Sequence, residues 1–302
     1  MISHRVPSES EPNPWSARLA ARRATGDALL DLTEADPWRA GLAEAADGAA
    51  LAVDGAALAR TRPDPRGERR AREAVAVYYR DRGLAIDPSH VLLTTGASES
   101  YAHLFRVLAD PGERIAIPRP SYPLFEPLAR AEGLEAATYR LEFTGRWRLD
   151  LDSLDAALHG GARAVLVVQP NHPTGSCLDA SEIAAVETRC ARHGAAIVSD
   201  EVFGDYGWNA ARRSLPSLLG ERSVPTFVLG GLSKACGRPE LKLGWIAACG
   251  PAAEREAALH ALEWLADLFL SVGAPAQGAL PGLLEARHPF QKLRARFRGA
   301  PA

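Results

Sequence analysis

The sequence predicts an α/β fold in which a mainly parallel sheet carries helices on both faces. From residue 91 onward, short apolar stretches with strand character alternate with amphipathic stretches of helical periodicity, which is the pattern of a parallel sheet covered on both sides. The 302 residues, of which 47% are hydrophobic, are enough to bury such a core. Polar segments follow several predicted strands, and ligands bind at the carboxyl ends of strands in sheets of this kind.

The elements are predicted in order along the chain. Residues 1–30 are polar and contain proline, so we expect an arm or a first helix, with a short strand at 29–33. An alanine-rich stretch at 40–60 is expected to be helical, and prolines and a glycine make 62–67 a turn before a helix at 68–81. The later strands are predicted at 91–95, 114–117, 134–139, 164–168, 195–199, 226–229 and 243–248, and the later helices at 98–108, 124–132, 151–159, 181–193 and 287–298.

Composition argues against several classes of protein. The formal net charge of −2 gives no reason to expect a nucleic-acid partner or an acidic membrane surface. Four scattered cysteines without a Cys-x-x-Cys pair argue against a zinc site or a disulfide framework and favour a reducing compartment. The apolar helical stretch 257–272 contains two carboxylates and reads as a buried or interface helix, and residues 1–25 do not resemble a signal peptide. We therefore expect a cytoplasmic protein without a metal site.

Lysine is rare in this chain. Of its 35 basic residues, only Lys234, Lys242 and Lys292 are lysines, and arginine can replace lysine as a surface charge but not as an amine nucleophile. Lys234 ends an apolar run, Gly-Gly-Leu-Ser-Lys, which suggests a lysine that forms a Schiff base. An arginine-rich codon bias that spared a few lysines is the alternative explanation.

Two segments place polar groups at the ends of predicted strands. Gly96, Ala97 and Ser98 begin a helix, so their amides can hold a phosphate at the positive end of the helix dipole. The alternative is that Ser98 is only an N-cap. Asp200 follows a buried strand, where a carboxylate needs a partner. A protonated pyridine nitrogen of a cofactor would suit it, and a helix cap or a structural ion pair is the alternative.

Two loops add aromatic and polar side chains after other predicted strands. Tyr122 lies between two prolines, where its ring can stack on an aromatic ligand or pack within the turn. Asn171 and His172 lie in Pro-Asn-His-Pro-Thr-Gly, and loops in this position often line sites, although these residue types also form turns. The order of the segments is the stronger signal: a phosphate turn, an aromatic ring, an Asn/His loop, a carboxylate and a lysine.

Taken together, these segments resemble the class I/II family of pyridoxal-phosphate-dependent aminotransferases, which have fold type I. The matching text is Leu-Thr-Thr-Gly-Ala-Ser-Glu-Ser, Arg-Pro-Ser-Tyr-Pro-Leu-Phe, Pro-Asn-His-Pro-Thr-Gly, Ser-Asp-Glu-Val-Phe, Leu-Ser-Lys with Leu-Lys-Leu-Gly-Trp, and Pro-Asp-Pro-Arg-Gly. The resemblance spans about residues 29–295. It implies pyridoxal 5'-phosphate as the cofactor, an amino acid and a 2-oxo acid as substrates, and a homodimer.

The resemblance also implies a role for each matching residue of the reaction centre. Lys234 matches the lysine that forms the internal aldimine and later moves the proton between Cα and the cofactor carbon. Asp200 matches the partner of the pyridinium nitrogen. Tyr122 matches the ring that stacks on the cofactor.

The phosphate site is matched as well. Ala97 and Ser98 match the phosphate-binding turn, with Ser233 nearby. Lys242 stands where many members have an arginine on the phosphate, so the charge is kept and the bidentate fork is lost.

Several positions depart from the family pattern. His172 stands where the family has an asparagine that contacts the phenolic oxygen of the cofactor; an imidazole N–H can donate the same hydrogen bond, and Asn171 is adjacent. Phe203 replaces a tyrosine, whose hydroxyl Tyr206 can supply instead. Gly231 replaces a serine three residues before the lysine.

The termini depart from the pattern too. Thr61 and Arg62 stand in place of a tyrosine that is lent to the phosphate of the neighbouring subunit. The expected division is an arm and part of a small domain at 1–45, a large cofactor-binding domain at 46–285, and the start of a C-terminal small domain at 286–302 that is mostly missing. No arginine can be assigned to the substrate carboxylate.

The sequence therefore predicts an aminotransferase that works through Lys234. A lyase or decarboxylase on the same fold is the first alternative. A truncated, non-catalytic homologue that only binds the cofactor is the second.

Overall fold

The computed structural model confirms the predicted α/β class. The predicted helix at 40–60, the basic stretch 287–298 and most of the predicted strand 29–33 lie outside the described part of the chain, and the domain division remains a prediction. The structure describes residues 3–6, 14–26, 28–30, 62–206 and 215–286.

The strands form one eight-stranded sheet with the order β1-β8-β7-β6-β5-β2-β3-β4. β8 runs antiparallel to both of its neighbours and β4 runs antiparallel to β3 at the edge, while the other six strands point the same way. The strands are β1 (Val91–Thr94), β2 (Arg114–Arg119), β3 (Glu135–Phe143), β4 (Trp147–Leu149), β5 (Ala162–Val168), β6 (Ala196–Asp200), β7 (Thr226–Gly231) and β8 (Gly244–Cys249).

The helices cover both faces of the sheet, as predicted. They are α1 (Pro14–Ala24), α2 (Arg69–Arg80), α3 (Ala97–Leu108), α4 (Phe125–Ala131), α5 (Leu151–His159), α6 (Ala180–His193), α7 (Leu232–Ala235), α8 (Ala252–Asp267) and α9 (Ala274–Glu285), with 3₁₀ turns at Pro88–His90 and Pro239–Leu241. One core cluster joins α2, α5, α6 and α9 to the sheet, and a second joins α3, α4 and α8 to the opposite face. Side chains alternate between the clusters along each central strand, since successive residues of a strand point to opposite faces.

Local sequence explains where the best-defined helix begins and ends. At the start of α6, the carboxylate of Asp179 accepts from the amide of Glu182, whose own side chain caps the amide of Asp179. At its end, Gly194 adopts φ 63°, a left-handed conformation that glycine takes without strain. The capping residues thus define where α6 ends and where the chain turns into β6.

Three elements differ from the prediction, and one of them is α9, a helix that the sequence pattern did not indicate. β3 extends to Phe143 and turns back at Gly145 to pair with β4, forming a hairpin that the sequence pattern did not show because most of its side chains are exposed. The apolar stretch 257–272 is not one helix: α8 begins earlier and stops at Asp267, and Leu270 has φ 44°. Among the described helices, none combines the length and apolar character needed to cross a bilayer.

Candidate active site

One edge of the sheet collects the residues that the sequence singled out. The carboxyl ends of β1, β2, β5, β6 and β7 reach this edge, and antiparallel β8 brings its amino end there. The candidates stand on the segments at this edge: Gly96, Ala97 and Ser98 after β1, Tyr122 after β2, Asn171 and His172 after β5, Asp200 and Phe203 at and after β6, Ser233 and Lys234 after β7, and Lys242 before β8.

A row of rings runs along the open side of this edge. The ring centroids of Tyr122 and His172 lie 6.0 Å apart, and those of His172 and Phe203 lie 6.2 Å apart. The Nζ atom of Lys234 lies 5.5 Å from the centroid of the Phe203 ring, which is cation–π distance. The side chain that replaces the expected tyrosine therefore offers the amine an aromatic face instead of a hydroxyl.

Asp200 forms the interior end of the site. Its side chain is buried; Oδ2 accepts a hydrogen bond of 2.6 Å from the Tyr101 hydroxyl, and Oδ1 accepts one of 3.0 Å from the Val202 amide. Burial raises the pKa of the Asp200 carboxyl above its ordinary value, although these two bonds and the positive charge of Lys234 oppose that rise. The carboxyl is therefore short of positive charge and suits a cationic N–H partner.

Tyr101 is the residue that sequence analysis missed. It lies on α3, is buried, and packs its ring against Phe105 and Phe125. Burial and the charge of Asp200 hold the pKa of the Tyr101 hydroxyl well above its ordinary value, so the hydroxyl remains a donor. Tyr101 precedes Leu104 and Phe105 by three and four positions, which is the spacing of one helix face. The sequence therefore indicates an ordinary core residue at this position.

The turn between β1 and α3 can receive an anion. Gly96 has φ 141° and ψ 174°, a conformation essentially restricted to glycine, and a Cβ built there would meet nothing within 4 Å. The Thr95 amide donates to the Glu99 carboxylate at 2.6 Å. Within the described residues, the amides of Ala97 and Ser98 have no acceptor, so these first helical N–H groups remain available to a ligand.

The backbone around Lys234 is closely packed. A Cβ at Gly230 would lie 2.5 Å from the Trp245 ring, whose indole N–H donates to the Tyr79 hydroxyl at 3.0 Å. The Tyr206 hydroxyl, whose pKa burial raises to about 12, donates to the Lys234 carbonyl at 3.0 Å. The strand before Lys234 is thus closely packed, the Lys234 carbonyl accepts a hydrogen bond, and the residue is partly buried.

Asn171 and His172 occupy different environments although they are adjacent. Asn171 is buried, and its Nδ2 donates to the Pro120 carbonyl at 3.2 Å and to Thr174 Oγ1 at 2.9 Å. Its side chain therefore ties the loop after β5 to the segment that carries Tyr122. His172 is exposed and lies next to the Tyr122 ring, so it is the more accessible of the two.

The remaining phosphate-site candidates flank the lysine turn. Ser233 is partly buried, and Lys242 is exposed with φ 47°. The strand that follows Lys242 reaches the phosphate turn directly, because a Cβ at Gly244 would lie 2.8 Å from the Gly96 Cα. In the described part of the chain, no three His, Cys, Asp or Glu side chains lie close enough together to hold a metal ion.

Comparison with known sequences gives a consistent result. The sequence model described as "Aminotransferase class I and II" matches residues 30–299. Nicotianamine aminotransferase 1 of Oryza sativa subsp. japonica is 31% identical over 220 residues, which are 71% of this chain and 44% of that protein. Tyrosine aminotransferase of Bos taurus is 31% identical over 176 residues, 58% of this chain and 39% of that protein. The chain spans less than half the length of these two relatives.

Comparison with solved structures identifies the fold. An aminotransferase from Escherichia coli matches with a TM-score of 0.79 at 22% identity, covering 94% of this chain and 71% of that one. Alanine aminotransferase from Pyrococcus furiosus matches with a TM-score of 0.76 at 24% identity, covering 92% and 71%. The chain has the fold of these proteins, the fold type I expected from the resemblance.

Proposed function

Because the chain belongs to the aminotransferase class I and II family, we propose that it moves an amino group between an amino acid and a 2-oxo acid, with pyridoxal 5'-phosphate as cofactor. One observation carries the proposal: the buried Asp200 at the end of β6 and Lys234, just after the neighbouring strand β7, stand at the same edge of the sheet. An amine nucleophile and a buried carboxylate are the two groups that this chemistry requires of the protein.

The residues present fit the cofactor at each of its three parts. The orphan amides of Ala97 and Ser98, at the amino end of a twelve-residue helix, suit the phosphate. The Asp200 carboxyl, short of positive charge, suits a protonated ring nitrogen. The exposed ring of Tyr122 suits stacking on a flat heterocycle.

When bound, the cofactor supplies an aldehyde that reacts with amines and a ring that takes up electrons. Lys234 would hold it covalently and, once its amine is free, accept a proton from the substrate carbon at Nζ. Asp200 would keep the ring nitrogen protonated. The hydrogen bond from the Tyr206 hydroxyl to the Lys234 carbonyl holds the backbone from which this side chain extends.

We also propose that a second copy of the chain completes the assembly. The end of α8 and the residues after it expose Trp264, Leu268, Phe269 and Leu270, each at least 44% exposed. Such a run of exposed large apolar side chains marks a protein–protein contact. No disulfide joins the four cysteines, which all lie in the described part of the chain, and we propose a reducing compartment, the cytoplasm, as the place of action.

The test is covalent capture at the lysine. Protein incubated with pyridoxal 5'-phosphate is reduced with borohydride and its intact mass is measured for the wild type, Lys234→Ala and Lys242→Ala. We expect the reduced adduct in the wild type and in Lys242→Ala but not in Lys234→Ala. An adduct of equal yield in Lys234→Ala would show that the assignment is wrong.

A second measurement separates the proposed reaction from the alternatives. The loaded protein is given an amino acid with and without a 2-oxo acid, and both products are followed. We expect a new amino acid that forms only when the 2-oxo acid is present. Breakdown of the amino acid without an acceptor would indicate a lyase or a decarboxylase, and binding without turnover would indicate a non-catalytic homologue.

A further inference from the structure

The interior end of the site contains a contact that the proposed function does not use. The Tyr101 hydroxyl donates to Asp200 Oδ2 over 2.6 Å, and both side chains are buried. The two residues are 99 positions apart in the sequence. We propose that Tyr101 is a positioning residue, which fixes and keeps ionised the carboxylate of Asp200 and so determines how strongly the site prefers a ligand with a basic ring nitrogen. This inference rests on the proposed function.

The two hydrogen bonds to Asp200 are of different kinds. The Val202 amide is two residues away on the same backbone, so its hydrogen bond is local to the turn in which Asp200 lies. The Tyr101 hydroxyl comes from α3, on another part of the fold. It is therefore the bond that orients the carboxylate relative to the rest of the site.

The same bond affects the charge of the carboxylate. Burial favours the neutral form of Asp200, and the donor hydroxyl of Tyr101 and the positive charge of Lys234 oppose it. The other titratable neighbour of Tyr101 is Tyr122, whose effect on its hydroxyl is to raise the pKa further. Without the hydroxyl, the carboxyl keeps its proton to higher pH, and a neutral acid is a poor partner for a ring N–H cation.

The position of Tyr101 on α3 links the two ends of a bound ligand. The amino end of this helix carries the free amides of Ala97 and Ser98, and Tyr101 lies one turn further along. The Phe125 ring, 5.1 Å from the Tyr101 ring, packs the side chain in place. One rigid element therefore contributes to holding both a phosphate and the group that faces a ring nitrogen.

The experiment compares two ligands in three proteins. Dissociation constants of pyridoxal 5'-phosphate and of its 1-deaza analogue, in which carbon replaces the ring nitrogen, are measured for the wild type, Tyr101→Phe and Tyr139→Phe. Tyr139→Phe is the matched control, since the Tyr139 hydroxyl is equally buried in the fold and donates to the Leu166 carbonyl at 2.7 Å. Phenylalanine keeps both rings and removes one hydroxyl.

We expect Tyr101→Phe to weaken binding of pyridoxal 5'-phosphate about tenfold, the effect of losing a hydrogen bond to a charged group. Binding of the deaza analogue should change less than about twofold, and Tyr139→Phe should leave the ratio of the two constants unchanged. Equal weakening of both ligands in Tyr101→Phe would show that Tyr101 only packs, and would overturn the inference.

A measurement without ligand separates this inference from the proposed function. In the ligand-free protein, the pKa of the Asp200 carboxyl, followed by carbon-13 NMR, should be higher in Tyr101→Phe than in the wild type. An unchanged pKa overturns the inference even when the cofactor binds. A wild type that binds neither ligand overturns the proposed function, while a raised pKa in Tyr101→Phe would still support control of Asp200 by Tyr101.

Discussion

The two ends of the candidate site differ in how much of their environment is built into the chain. At the interior end, Asp200 is 6% exposed and both of its oxygens accept hydrogen bonds. At the outer end, Tyr122 is 39% exposed and His172 lies beside it in the open. The chain itself thus supplies the partners of the interior carboxylate, while the side chains at the rim remain open to solvent.

The comparison predicts its largest effect at the interior end. Asp200→Asn keeps the shape of the side chain but removes the charge that holds a ring nitrogen protonated. We expect amino transfer to fall about 100- to 1,000-fold, the usual cost of losing one electrostatic partner of the reacting group. Steady-state assays of the loaded protein measure this. A loss of less than about tenfold would contradict the contrast between the two ends.

The turn between β1 and α3, proposed to hold the phosphate, should show an intermediate effect. Gly96→Ala forces a side chain into a conformation that only glycine adopts readily, at a cost of about 1–3 kcal/mol in the free energy of unfolding. Gly145→Ala is the matched control, since Gly145 has φ 85° in the β3–β4 hairpin. A Cβ at either position meets nothing within 4 Å. The two substitutions therefore test the cost of the backbone conformation and not that of a steric clash.

Urea unfolding and binding of pyridoxal 5'-phosphate together check this prediction. Both alanine variants should be less stable, but only Gly96→Ala should also bind the ligand more weakly. Equal affinities in the two variants would show that the turn does not hold the phosphate.

The buried carboxyl also predicts how the stability of the ligand-free protein depends on pH. Because the pKa of Asp200 is raised in the folded state, its stabilising contribution is complete below its unfolded pKa of about 4 and is lost as pH rises through the folded value. The asparagine of Asp200→Asn does not titrate, so this variant does not lose stability in this way. The free energy of unfolding of the variant minus that of the wild type should therefore increase by up to about 1.4 kcal/mol per pH unit within this window.

A series of urea unfolding curves at different pH values measures the difference between the two proteins. Taking the difference removes the contributions of groups that both proteins share. A difference that is constant with pH would mean that Asp200 titrates as an ordinary exposed carboxyl.

The smallest effect is expected at the rim. Tyr122→Ala should weaken binding of pyridoxal 5'-phosphate about two- to tenfold, because a stacked ring contributes about 0.5–1.5 kcal/mol. Tyr122→Phe keeps the ring and should change the dissociation constant less than about twofold. Fluorescence titration measures both. A larger loss in Tyr122→Phe would mean that the hydroxyl, not the ring, contacts the ligand.

The central strands of the fold could be predicted because buried strands have an apolar sequence pattern. β5, β6 and β7 are buried along nearly their whole length, so each forms a continuous apolar stretch that ends at a polar segment. The β3–β4 hairpin could not be predicted in the same way. Most of its side chains are exposed, and β4 has only three residues, so no apolar pattern marks it.

The candidate site shows the same limit. Lys234 stood out because lysine is rare in this chain and this one ends an apolar run, and Asp200 stood out because a carboxylate at the end of a buried strand needs a partner. Tyr101 did not, because its spacing from Leu104 and Phe105 is that of a core helix face and its partner lies 99 residues away. A contact between distant segments leaves no periodicity in a single sequence.

The packing of Trp245 over Gly230 restricts how this protein can diverge. Any side chain at residue 230 collides with the indole, and any smaller residue at 245 leaves a void and deprives the Tyr79 hydroxyl of its donor. Either change alone should destabilise the fold, so we expect the two positions to vary together. Residue 230, on the strand that leads to Lys234, should therefore accept no single substitution without loss of stability.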